Sequence, residues 1–142
     1  MKNLLIAVLL LCPLAVVAED YDYDNGSYWT VTGVDTEPGH FDDYMSDLSN
    51  VWSKSLKMMQ DDGKVLSYKV FGNVNAREDE PDLWLMVEWK SAADMLDSPR
   101  EYFDDNAEKL FGSMDKSKKA GEKRGKIRTI KGTSMLRELT FN

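Results

Sequence analysis

The chain has 142 residues, room for one domain, and its 42% apolar and 11% aromatic content is that of a globular protein rather than a disordered one. Eighteen basic against 25 acidic side chains leave a net charge of −7, which disfavours nucleic acid and anionic membrane surfaces as partners, since both reward basic proteins. One cysteine, Cys12, and one histidine, His40, exclude Cys/His zinc sites, disulfide frameworks and a cysteine nucleophile.

The N-terminus reads as an export signal. Lys2 supplies the positive start, Leu4 to Leu11 an unbroken apolar run, and Val16-Val17-Ala18 the small residues at which a signal peptidase cuts. The run is too short for a permanent membrane anchor. Cys12 invites a lipoprotein reading, but Leu11 is not the small residue that a lipobox needs before its cysteine. Cleavage after Ala18 leaves 124 residues, with 17 basic against 25 acidic and a net charge of −8, for the periplasm or the outside of the cell. Residues 19–27 (EDYDYDNGS) read as a flexible acidic leader. A calcium loop counted from Asp20 would need Gly at its sixth position and Glu at its twelfth, where Asn25 and Val31 stand.

The single domain then runs from Tyr28 to Asn142. Tyr28 to Asp35 is β-branched and aromatic and predicts a strand. From Phe41 the period changes: Tyr44, Met45, Leu48, Val51, Trp52, Leu56 and Met59 follow helical spacing for about five turns. Asp62-Gly63 stops that helix with a left-handed residue. Lys64 to Asn75 predicts a second strand, and Leu83 to Lys90 a third that is apolar on both faces apart from Glu88. Ser91 to Asp94 has the pattern of a capping box, and a further helix starts with Pro99 in its first turn and carries Tyr102, Phe103, Ala107, Leu110, Phe111 and Met114 on one side. Lys116 to Lys126, six of whose eleven residues are basic, reads as a solvated loop. Ile127 to Phe141 predicts the last strand, with Gly132 at a bend or bulge.

The order β-α-β-β-α-β is the split βαβ arrangement, with the first and third strands central and both helices on one face. A third strand apolar on both sides then needs cover on the face that the helices leave open. A second copy of the chain supplies it with one self-complementary patch, which is the argument for a homodimer.

In element order over Tyr28 to Asn142 the chain resembles the dimeric α/β-barrel group, which includes antibiotic-biosynthesis monooxygenases and haem-degrading enzymes. Locally, Trp29-Thr30-Val31-Thr32, Pro38 to Tyr44, Leu66 to Val70 and Arg137-Glu138-Leu139 are similar to exported bacterial proteins of this fold. The resemblance implies an α+β, ferredoxin-like domain: a four-stranded antiparallel sheet with helices on one face, paired into a barrel. It also implies a habit of holding small, often aromatic molecules between helices and sheet. The haem-degrading triad does not carry over, because the helix from Pro99 to Met114 has no histidine.

His40 beside Asp42 and Asp43 is a candidate base or ligand contact, a metal ligand, or else an exposed loop histidine whose aspartates serve the helix dipole. Glu88, on the most apolar strand, is expected to be paired or protonated if buried: a structural ion pair with Arg128 or Arg137 of the last strand, a strand-end charge in water, or a functional acid of raised pKa. Trp29, Tyr68, Trp84 and Tyr102 complete the candidate ligand pocket, while Trp52, Phe103 and Phe111 sit at core spacing. Metal, hydrolase and phosphate-loop motifs are absent, so no cofactor is expected. The reading is an exported homodimer that binds a small apolar or aromatic molecule. A cofactor-independent oxygenase using His40 or Glu88, and a purely structural dimer, are its alternatives.

Overall fold

The computed structural model describes residues 21–142, so the expected export signal and Cys12 lie outside the described residues. Four strands, β1 (Tyr23–Thr36), β2 (Val65–Gly72), β3 (Leu83–Trp89) and β4 (Arg128–Phe141), form one antiparallel sheet in the order β2-β3-β1-β4. The first and third strands are central, as expected. Between β1 and β2 run α1 (Phe41–Asp47), a π-turn (Leu48–Trp52) and α2 (Ser53–Asp61). Between β3 and β4 come α3 (Ala92–Leu96), α4 (Arg100–Phe111) and α5 (Met114–Arg124).

Pairing places Val34, Leu83, Leu85, Val87 and Trp89 on one face of the sheet. These residues are buried against the long helical segment in two linked clusters. Val34, Leu83 and Leu85 meet Tyr44 and Leu48, while Val87, Trp89 and Val65 meet Leu56 and Met59. Trp52 packs against both clusters. The five-turn helix is therefore real but not uniform. Ser53 donates to the Ser49 carbonyl (2.6 Å) and Asn50 to the Ser46 carbonyl (2.9 Å), the local competition that loosens a helical ladder where the turn widens. Gly63 follows α2 with φ +72°, the conformation that its lack of a Cβ permits. Ser91 caps α3: its Oγ accepts from the Asp94 amide (3.1 Å) and donates to the Asp94 carboxylate (2.7 Å), so the carboxylate closes on the cap hydroxyl.

Two boundaries differ from the sequence reading. The strand starts at Tyr23 rather than Tyr28, so residues 23–27 of the expected leader are sheet. The far end of β4 captures them, pairing Tyr23 with Phe141 and Asn25 with Leu139, a partner invisible in the local pattern. The basic run is also a helix, α5, not a loop. Gly112 (φ +78°) ends α4, Ser113 accepts from the Lys116 amide (3.3 Å), and Lys123 and Arg124 sit at the negative end of the dipole. The bulge expected at Gly132 is present: Gly33 faces Gly132 while Val34 faces Ile130, leaving Lys131 as the extra residue. A second irregularity lies between Asn25 and Tyr28.

Candidate functional site

Under the first helical segment lies a cavity of about 220 Å³. Its floor is the helix-facing side of the sheet. Thr32 on β1 and Thr133 on β4 share a hydrogen bond (2.9 Å), and Leu85, Val87 and Ile130 add apolar surface. The roof is Tyr44, Leu48 and Trp52; the wide π-turn puts the last two, four residues apart, over the same space. Arg128, the first residue of β4, and Arg124, near the end of α5, close one side.

The charges in this space are unbalanced. Arg124 is paired with Asp47 (Nε to Oδ2, 2.5 Å; Nη2 to Oδ1, 3.4 Å), and both side chains are largely covered. The Arg128 guanidinium lies 5.5 Å from the Tyr44 ring centroid, close enough for a cation–π contact, and its buried Nε has no hydrogen-bond partner among the described residues. Two guanidinium groups thus face one carboxylate. The Tyr44 side chain is only 1% exposed, and burial pushes its phenol above the ordinary value of 10.0, with Arg128 and Arg124 pulling the other way.

Tyr44 therefore enters the cavity as a neutral hydroxyl. Because its folded value is raised, the contribution it makes to stability is complete below the unfolded value near 10 and is lost as pH climbs through the folded one. Tyr44→Phe is accordingly expected to flatten the alkaline fall of the urea midpoint between about pH 9 and pH 11. An equally steep fall in both proteins would contradict the assignment.

The structure separates the residues that the sequence grouped. Arg128 alone of the pocket candidates lines the cavity. Trp29 and Trp84 both lie on the opposite, uncovered face of the sheet, so the expected pocket of Trp29, Tyr68 and Trp84 is not one space. Tyr68 faces the helices and meets the edge of Trp52 (centroids 5.4 Å apart, 84°). Tyr102 donates to Asp62 (2.8 Å), and Arg137 lies over the Tyr28 ring (4.9 Å).

Glu88 pairs with neither arginine. Strand parity sends it to the open face and both arginines to the helix face. It accepts instead from Ser27 (2.7 Å) and Ser67 (2.5 Å), and the same Ser27 hydroxyl lies 3.1 Å from Glu138. His40 forms an exposed pair with Asp43 (Nδ1 to Oδ2, 2.8 Å) ahead of α1 and lines neither this cavity nor the open face. Neither candidate base reaches the cavity.

Sequence reasoning missed Tyr44, which it spent on the core stripe, and Arg124, which it placed in a loop. The Gly112-Ser113 pair is the signal that would have recovered α5 and with it Arg124.

No protein-family model matches the chain, and no curated protein matches it in sequence. Among solved structures it is similar to a dimeric ferredoxin-like protein from an uncultured marine organism, with a TM-score of 0.52 at 13% identity, over 82% of this chain and 90% of that one. HapK from Hahella chejuensis is similar at a TM-score of 0.48 and 9% identity (78% and 91% covered). A conserved protein from Methanosarcina mazei Go1 follows at 0.43 and 14% (79% and 90%). At such identity the likeness to the marine protein is one of fold: the chain is an α+β, ferredoxin-like domain with its helices on one face of a four-stranded antiparallel sheet.

Proposed function

We propose that the protein is an exported, homodimeric binding protein that holds a small aromatic acid in the cavity between its first helical segment and the sheet. The observation that carries this reading is the unpaired Nε of Arg128 in a space otherwise lined largely by apolar groups. Arg128 also engages the Tyr44 hydroxyl, but a buried cationic N–H left without an acceptor is costly, and a ligand carboxylate removes that cost with a charge-assisted hydrogen bond. Tyr44 supplies a neutral hydroxyl nearby, and Leu48, Trp52 and Ile130 offer an apolar bed for the ring. Cavities of about 150 Å³ hold benzene, so 220 Å³ has room for a benzoate-sized molecule.

A binding role without conversion is favoured over the oxygenase alternative because His40 and Glu88, the bases that reading named, stand outside the cavity. The test is calorimetric titration with benzoate. The unmodified protein should bind it saturably, and Arg128→Met should weaken binding by about tenfold to a hundredfold, the value of a charged hydrogen bond. Equal affinity in both proteins would remove the proposal.

Homodimerisation rests on the other face of the sheet. Trp84 (38% exposed), Phe71 (48%) and Leu136 (51%) lie there with Val31 and Met86, an apolar patch of the kind that marks an interface. Beyond the reach of β3, the ends of β1 and β4 continue as a two-stranded arm that leaves Leu139 and Phe141 exposed, and such ribbons need further cover to be stable. Export rests on Lys2, the Leu4 to Leu11 run and Ala18. Mass spectrometry of the protein from its own host should show a chain that begins at Glu19; an intact Met1 would contradict export by this signal.

A further inference from the structure

A second cavity, of about 170 Å³, lies between the first helical segment and α4, on the far side of Trp52 and Arg124 from the first. Its walls are mostly apolar: Trp52 and Met59 from one helix, Phe103, Ala107 and Leu110 from the other. Three polar side chains interrupt them: Ser55, Arg124 and Asn106. Asn106 is the buried residue of α4, 6% exposed, where the amphipathic pattern of that helix calls for an apolar group. Its Nδ2 meets no acceptor at full hydrogen-bond geometry among the described residues; the neighbouring Tyr102 hydroxyl donates to Asp62 and offers the amide only a looser contact with its oxygen.

A buried amide donor without a well-formed hydrogen bond costs free energy that a leucine at the same place would not. The position makes physical sense when an acceptor arrives from outside the chain. The charges at the rim do not select an anion here, since Arg124 is already matched by Asp47. We infer that this cavity is a second, separate ligand site, for a small uncharged aromatic or cyclic carbonyl compound whose oxygen accepts from Asn106 Nδ2 and whose ring lies among Trp52, Met59 and Phe103. The size agrees, because a cavity of about 150 Å³ takes a benzene ring.

This site does not depend on the first. Arg128 and Tyr44 line only the other cavity, so the two are tested separately.

The experiment is a two-dimensional NMR titration of the intact protein with acetophenone, and with ethylbenzene as the ring without the acceptor. Acetophenone should bind saturably and shift the Asn106 side-chain amide and the Met59 methyl, leaving the Ile130 methyls unmoved. Asn106→Leu, which keeps the size and removes the donor, should weaken acetophenone about tenfold while ethylbenzene binds at least as well as before. Ala107→Phe, which fills the space, should abolish both. The proposal is overturned if acetophenone shows no saturable binding, if its shifts map to Ile130 instead, or if Asn106→Leu leaves its affinity unchanged. The first of these outcomes would mean that the amide serves an ordinary buried water.

Discussion

Trp84→Glu is expected to convert the proposed dimer to a monomer, halving the mass read by light scattering at micromolar concentration. Trp84 stands near the start of central strand β3 on the open face, flanked across the register by Gly33 and Phe71. With Val31, Phe71 and Met86 it forms a wholly apolar depression. In a two-fold dimer each substitution enters the interface twice, so the carboxylate penalty is felt in both copies. Burying a carboxylate without a partner costs several kcal/mol, enough to dissociate an interface of ordinary size. The substitution leaves the helix-side core untouched, because strand parity keeps Leu83 and Leu85 on the other face. Circular dichroism and the urea midpoint of the monomer should therefore still report a folded domain. Lys54→Glu, on the exposed helical surface, is the control. A wild-type protein that is already monomeric, or a Trp84→Glu variant that remains dimeric, would show that something other than a second copy covers this face.

The largest loss of stability is expected from Trp52→Ala, about 3 kcal/mol, read as a shift of the urea midpoint. Trp52 ends the π-turn, packs edge-on against Tyr68, and joins the two halves of the core. It is also the wall that the two cavities share with Arg124. Truncation removes the packing of a large aromatic that partitions two cavities, so few neighbouring side chains are placed to move in and refill its volume. The same variant should bind benzoate more weakly, since the bed of the ring is gone, yet keep the Arg128 dependence of what binding remains. A change below about 1 kcal/mol would mean that Trp52 is a surface flap and not a partition. Trp52→Phe, which keeps a ring in place, should recover most of the stability.

Local chemistry determined the element order. The three-and-four spacing from Tyr44 to Met59, the Gly63 stop, the Ser91 cap and the bend at Gly132 each act within a few residues, and each stands in the structure where the sequence put it. The strand that is apolar on both faces announced an uncovered side of the sheet, and Trp84 and Met86 lie on that side. What touches what was decided only in three dimensions. Whether Glu88 meets an arginine depends on the register of β1 with β3 and β4, and a one-residue offset sends a side chain to the other face. That parity put two serines, not Arg128 or Arg137, on Glu88, and it split Trp29 and Trp84 from Tyr68. The leader became strand because β4, more than a hundred residues away, continues far enough to pair with it. The cavity is a tertiary product in the same sense: Tyr44, Arg124 and Arg128 come from three elements whose spacing along the chain carries no trace of their meeting. Periodicity reports which residues leave water, and only packing reports which of them remain without a partner once they have done so.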